Sequence, residues 1–190
     1  MRLLFVASTP MEYGGMRKLT KARKSPGGAR LWVRSGRISG HEILMAANGV
    51  GSGRATAAVD ALHAVFHPDA VVSTGFSGAL DPRLQIADVV LGTCVTSSGR
   101  SYAALPVRCS KPHVTGVVVS MDHVVQTAAE KRTLRAQGGS IVEMEAAGVA
   151  SRAEALGLAV RRTARVYDSA VCLCLAPAGA VVQPAGGTAA

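Results

Sequence analysis

The apolar positions of the chain fall into short unbroken runs separated by segments of helical periodicity, an alternation that predicts strands and helices in turn. Leu3 to Ala7 is an apolar run ending at Ser8-Thr9-Pro10, where proline removes a ladder donor and closes the strand. Between Ser25 and Gly40, Ser-Pro-Gly-Gly, Leu31-Trp32-Val33 and Ser35-Gly36-Arg37 read as turn, strand and turn, and Glu42 to Ala47 as the strand that completes a hairpin. Asn48-Gly49-Val50-Gly51-Ser52-Gly53 then leads into Ala58, Ala61, Leu62, Val65 and Phe66 at helical spacing. Ser52 is the expected cap and His67-Pro68 the stop.

The pattern repeats in the second half. Ala70 to Thr74 predicts a buried strand, Gly75 to Pro82 a loop of small residues, and Asp88 to Thr96 another strand. Ser97 to Pro112 is polar and broken by Pro106 and Pro112, which predicts a surface excursion before the strand Val114 to Ser120. Thr127 to Glu130 has the form of a capping box and opens a helix that ends at Gly138-Gly139. Ser140 to Glu143 is strand-like, and Ala146, Val149, Ala150, Ala153 and Leu156 line one face of a helix closed by Gly157. A last strand is expected over Leu158 to Val166, although the stretch Arg161 to Arg165 is too charged for a buried central strand. The tail from Ala176 to Ala190 is Ala, Gly and Pro with little to pack, and disorder is expected there.

A length of 190 residues suits one core, and the 48% apolar content excludes a disordered chain. Aromatics make up only 4%, so Ala, Val and Leu must fill the core, as in close packing of helices on a sheet. The net charge of +9 raises the possibility of nucleic-acid binding. The cations cluster locally, in Arg17, Lys18, Lys21, Arg23 and Lys24 and again in Arg161, Arg162 and Arg165, with no interleaved aromatics for base stacking. Solvated charge runs are the simpler explanation, and nucleic acid is not the expected partner. The first apolar run is too short for a signal peptide or a spanning helix, which points to a cytoplasmic protein with no membrane partner. Cys94, Cys109, Cys172 and Cys174 contain no CxxC pair and the histidines lack metal-ligand spacing, so free thiols and no metal are expected.

Two stretches carry candidate chemistry. The glycine loop Asn48 to Gly53 has the character of a phosphate cradle ahead of a helix start, or of no more than a tight turn. In Val142-Glu143-Met144-Glu145-Ala146-Ala147, two carboxylates flank a methionine where a strand meets a helix. Buried carboxylates need hydrogen-bond donors, and ribose hydroxyls are suitable ones. Strand alternation lets Glu143 and Glu145 point together, while helix-start glutamates favoured by the dipole are the plainer alternative.

Over about residues 1 to 160 the chain resembles the nucleoside phosphorylase and methylthioadenosine/S-adenosylhomocysteine nucleosidase family, particularly its hopanoid-associated phosphorylase and futalosine hydrolase-like branches. The resemblance rests on Ala7-Ser-Thr-Pro-Met-Glu12, Asn48-Gly-Val-Gly51, Ser73-Thr-Gly-Phe-Ser-Gly-Ala-Leu-Asp81, Ala87-Asp-Val-Val90, Ser120-Met-Asp122 and Val142-Glu-Met-Glu145, in this order. It implies an α/β fold, a three-layer α/β/α sandwich with a central mixed sheet, incomplete at the C-terminus. Residues 1–170 would form the domain and 171–190 an atypical tail.

The resemblance also implies cleavage of the N-glycosidic bond of a purine-type nucleoside. The ribose would lie over Met144, with Glu145 and its neighbour Glu143 beside it, and Gly75, Phe76, Ser77 and Gly78 would flank base and sugar. Glu12 looks like the acidic residue that orients the attacking water, although Tyr13-Gly14-Gly15 breaks the acidic run seen in relatives. Asp168, in Tyr167-Asp-Ser-Ala170, is the candidate acid for the leaving base. A tyrosine precedes it where the family has serine, and the residues after it lack the family's polar loop and final helix. That departure suggests a frame shift near Leu158 to Arg162 or a truncated relative, and supports the alternative of a degenerate member that binds a nucleoside without turnover. Phosphorylases of the family carry an arginine where this chain has Ser73, which favours water over phosphate. The resemblance implies no metal or organic cofactor, leaves inorganic phosphate open as a co-substrate should the enzyme be a phosphorylase, and implies a homodimer or larger homo-oligomer.

Overall fold

The computed structural model describes residues 1–25, 31–104, 109, 112–166 and 170–175; within 159–175 only the backbone is described. Eleven strands form one mixed sheet among these residues. Strand β1 (Arg2–Ala7) lies in parallel between β4 (His41–Ala47) and β5 (Ala70–Ala79). Its apolar run is unbroken because both faces are covered. Leu4 and Val6 pack into one cluster with helix α2 (Ser52–Phe66), whereas Leu3, Phe5 and Ala7 pack with Tyr13 and Met16 on the other side. Tyr13 belongs to a short 3-10 turn (Pro10–Tyr13) that runs into helix α1 (Gly14–Leu19). The expected hairpin is present as β3 (Trp32–Ile38) against β4, edged by the two-residue β2 (Arg23–Lys24).

The second half closes round the end of β5. Strand β6 (Val89–Ser97) pairs in parallel with β8 (Val114–Ser120), and β8 with β9 (Ile141–Glu143). Strand β9 then runs antiparallel to the last residues of β5. Helix α3 (Ala128–Ala136) sets Leu134 into a small cluster with Val125 and Val142, and α4 (Ala146–Ala155) packs on α2. The α2–α4 contact is close enough that a Cβ on Gly148 would overlap the Ser52 backbone.

Several expectations are corrected. The loop expected from Gly75 to Pro82 is in its first part strand, because β5 continues to Ala79, held by β9 and by β10 (Ala159–Val166). Small residues there reflect close neighbours, not a turn. Strand β7 (Arg100–Ala103) folds back on β6 within the expected excursion. Gly51, not Ser52, caps α2, and its buried face is Ala55, Ala58, Val59 and Leu62, which leaves Ala61 and Val65 exposed. The charged run Arg161 to Arg165 does lie in an interior strand, since β10 pairs in parallel with β5 from Ala159↔Ala70 to Val166↔Ser77. Strand β11 (Ala170–Leu175) runs antiparallel to β10, and residues 176–190, where disorder is expected, lie outside the described residues. The carboxylate of the expected capping box faces elsewhere: the Thr127 hydroxyl accepts from the Glu130 amide, while the Glu130 side chain engages His123.

Candidate functional site

A cleft of about 290 Å³ opens where the C-terminal ends of β1 and β5 meet β9 and the start of α4. The residues that form it come from five separate stretches: Ser8 and Glu12, Val50, Phe76 to Gly78, His123 to Val125 with Lys131, and Val142 to Glu145. The crevice outside the carboxyl ends of parallel strands is where α/β sheets place ligands, because the strands end there and the helix starts face it.

Glu12 is fastened at both carboxylate oxygens. Its Oε1 accepts from the Ser8 hydroxyl at 2.7 Å and its Oε2 from the Thr9 amide at 3.0 Å. Burial raises its pKa above the ordinary carboxylate value, against these hydrogen bonds and one from the Phe76 backbone, which lower it. The neighbouring tyrosine anchors the backbone beside Glu12. Tyr13 is fully buried, donates from its hydroxyl to the Ala46 carbonyl at 2.8 Å and stacks on Trp32 with ring centroids 5.5 Å apart. Glu12 therefore has one direction in which to point. A Cβ on Gly75 would lie 3.4 Å from the Glu12 carboxyl carbon, so the carboxylate passes within van der Waals reach of β5 there.

The Glu-Met-Glu stretch divides its labour. Glu143 closes β9, and its Oε2 accepts from the amides of Glu145 at 2.9 Å and Ala146 at 2.7 Å, while Ser120 Oγ accepts from the Ala147 amide at 3.1 Å. The free amides at the start of α4 are thus met by two side chains from adjacent strands. Glu145 leaves its own helix and accepts from the Gly51 amide at 2.7 Å. Ser52 Oγ donates to the Met144 carbonyl at 3.1 Å beside it. The glycine loop read as a possible phosphate cradle therefore already holds an internal carboxylate at the α2 start. Burial, then the negative charge of Glu143 and of Glu12, push the Glu145 pKa up to about 7. A cleft that concentrates carboxylates in this way is built to receive hydroxyl donors or to hold a proton.

The structure brings Glu12, Phe76, Ser77, Gly78, Glu143, Met144 and Glu145 to this one cleft, with Gly75 against Glu12. Asp168 lies outside the described residues. Sequence reasoning missed Ser8, His123 and Lys131. Ser8 was visible as a hydroxyl four residues before Glu12, whereas the other two carry no local signal, His123 entering from the β8–α3 connection and Lys131 from the first turn of α3. His123 lies between Asp122 at 2.7 Å and Glu130 at 2.6 Å, and those two hydrogen bonds raise its pKa. Among the described residues no cluster of His, Cys, Asp or Glu is arranged to hold a metal ion, and Cys94 and Cys109 are free thiols. No described helix is long and apolar enough to cross a membrane.

The family model of the phosphorylase superfamily matches residues 3–108 and 103–184 of the chain. The chain belongs to the phosphorylase superfamily. The second matched segment runs past residue 160, where the resemblance read from motifs ended, and spans Asp168. Among curated proteins, the 5′-methylthioadenosine/S-adenosylhomocysteine nucleosidase of Tolumonas auensis is 36% identical over 56 residues, 30% of this chain and 24% of that protein. The same enzyme of Staphylococcus epidermidis is 25% identical over 145 residues, 60% of this chain and 63% of that protein. The chain thus spans from a quarter to just under two thirds of the curated relatives it matches.

Solved structures agree on the fold. The Neisseria meningitidis nucleosidase in complex with methylthio-immucillin-A superposes with a TM-score of 0.78 at 22% identity, covering 88% of this chain and 85% of that one. A futalosine hydrolase mutant of Helicobacter pylori gives 0.74 at 18% identity, covering 87% and 89%. The α/β fold expected from the resemblance, with its central mixed sheet, is the fold observed.

Proposed function

We propose that this protein cleaves the N-glycosidic bond of a purine-type nucleoside with water as the attacking group. The observation that carries the reading is the meeting of Glu12 and Glu145 in one cleft lined also by Met144 and by Phe76 to Gly78. Superfamily membership and the nucleosidase names of the curated relatives support it, as do nucleoside-analogue complexes among the structural neighbours.

Breaking this bond leaves an oxocarbenium-like sugar and a base that needs a proton, so the site must hold the sugar, present water and supply an acid. Glu145 accepts from the ribose hydroxyls, and Met144 offers a soft apolar floor under the ring. Glu12 takes a proton from water as the water oxygen bonds to the anomeric carbon. The base nitrogen leaves with the bonding pair and receives a proton from Asp168. The raised pKa of Glu12 makes it a better base than an ordinary carboxylate. Ser73, in place of a phosphate-binding arginine, is buried in β5 opposite Val6 and offers no charge.

The protein is further proposed to act in the cytoplasm as a homodimer or larger homo-oligomer. Exposed Met11, beside Glu12, and exposed Val50 and Val124, on the cleft rim, supply apolar surface for a second copy to cover. The test of the activity is chromatographic detection of free base after incubation with adenosine, methylthioadenosine, inosine and futalosine. Base release supports the reading. Stabilisation by a nucleoside without any release would instead favour a binder that does not turn over.

A further inference from the structure

Positive charge is not spread evenly over the molecule. Of the net +9, the stretch from Gly14 to His41 supplies +8, because it holds eight Lys and Arg and no Asp or Glu, and the rest of the chain is left at +1. In the fold this stretch forms α1 and the β2–β3 edge of the sheet, so the charge collects along one rim. Among the described residues only Arg37 of these cations has a carboxylate partner, Glu42. None of them lines the cleft.

Three of these cations crowd one spot, for Lys24 stands directly opposite Arg34 in the antiparallel β2–β3 pair and Arg17 approaches from α1. Like charges directly opposite each other repel and cost stability. Arg34 and Arg17 share the Trp32 ring, their guanidinium carbons 4.8 Å and 5.9 Å from its centroid. The ring is itself fixed, since it stacks on the fully buried Tyr13 at 5.5 Å. The cation runs show no interleaved aromatic along the sequence, yet the fold sets Trp32 between Arg17 and Arg34. With Tyr13 stacked on it and two guanidiniums over it, Trp32 orders cations and is not a platform for a base. A guanidinium stacked on an indole is pre-ordered, and its planar fork still presents donors to a phosphate. Repulsion held in place by the native fold is what a bound anion relieves.

The scale of the rim indicates the kind of anion. Strand β3 runs for about 20 Å, the rise of about six phosphates along one strand of a duplex. A row of cations of that length suits a linear polyanion. Leu19 and Ile38 are the only exposed large apolar side chains of the stretch among the described residues. Two are too few for the apolar centre of a protein interface or for insertion into a bilayer. We propose that the rim formed by α1, β2 and β3 binds the phosphate backbone of a nucleic-acid strand without reading its bases.

The test is fluorescence anisotropy of a labelled single-stranded oligonucleotide of mixed sequence, titrated with the full chain in rising potassium chloride. The logarithm of the affinity falls linearly with the logarithm of salt, by about 0.7 for each phosphate contacted. Arg17→Gln, Lys24→Gln and Arg34→Gln combined weaken binding about tenfold or more at low salt and flatten the slope by about 2. Arg83→Gln, Arg132→Gln and Arg135→Gln combined lower the net charge equally and leave the slope near the wild-type value. Lys24→Gln alone, at an exposed position, flattens the slope by about 0.7. It also relieves the repulsion with Arg34, so its melting temperature exceeds that of wild type at low salt and the gain vanishes at high salt. Equal losses from the two triple variants would reduce the effect to overall charge and overturn the proposal. Absence of binding at low salt overturns it too, as does tighter binding to phosphatidylserine vesicles than to the oligonucleotide at the same salt.

Discussion

Glu145 accepts a hydrogen bond from the Gly51 amide at 2.7 Å across 94 residues of sequence, tying the start of α4 to the start of α2. This contact is how a carboxylate comes to be buried beside two others, and it links the site to the stability of the fold. Folding raises the Glu145 pKa to about 7 from an ordinary value of 4.5. The folded state therefore binds the proton more tightly than the unfolded one, and its contribution to stability is full below about 4.5 and lost as pH rises through about 7. The cost of ionisation is at most about 3 kcal/mol.

Glu145→Gln keeps an acceptor for Gly51 and removes the charge. Its melting temperature relative to wild type is expected to be higher at pH 8 than at pH 5, with loss of turnover. Thermal unfolding at both pH values checks this, and an equal difference at both would show that the buried charge costs nothing.

Ser8 donates to Glu12 at 2.7 Å and so lowers a pKa that burial has raised. Glu12 must be ionised to act as a base, so activity falls as pH drops through its pKa. Ser8→Ala removes the bond, and the ascending limb of the kcat/KM profile is expected to move to higher pH, with the loss greatest near the acid end. A profile that drops uniformly at every pH would place Ser8 in binding alone.

Glu12→Gln removes the base and keeps one acceptor oxygen, with a donating NH2 in place of the other. Turnover is expected to fall by about 100-fold or more, while a nucleoside still raises the melting temperature. Turnover near the wild-type value would remove Glu12 from the chemistry.

Gly148→Ala sets a methyl group into the Ser52 backbone at the α2–α4 contact. Overpacking of this kind costs about 1–3 kcal/mol, and because Ser52 adjoins Gly51 the cleft is disturbed as well. Urea unfolding of the variant should show the loss in its midpoint, and an unchanged midpoint would mean that the helices separate freely.

Much of this arrangement was legible along the chain, for physical reasons that differ between segments. Strand β1 announced itself because burial on both faces leaves an unbroken apolar run. The Glu143-Met144-Glu145 stretch stood out because carboxylates rarely follow a buried strand without donors to meet them. The extension of β5 through Gly75 and Gly78 was hidden, since glycine is as common in turns as where a strand is pressed by neighbours. Here the neighbours are Glu12, Val142 and Lys131, which only the folded chain assembles. His123 and Lys131 were invisible for the same reason: their place in the cleft depends on where α3 docks, and the anchor is the buried Leu134, an unremarkable leucine in the sequence. The arginines of β10 read as solvent-facing because periodicity reports side-chain company, whereas the ladder with β5 is fixed by the backbone.

Turnover of a purine nucleoside in heavy-oxygen water, with and without inorganic phosphate, tests the central claim most directly. Mass analysis of the sugar product should show one oxygen from solvent at the anomeric carbon and the same rate of base release in both conditions. A sugar phosphate formed only when phosphate is present would contradict water as the attacking group, and the absence of any product would contradict glycosidic cleavage itself.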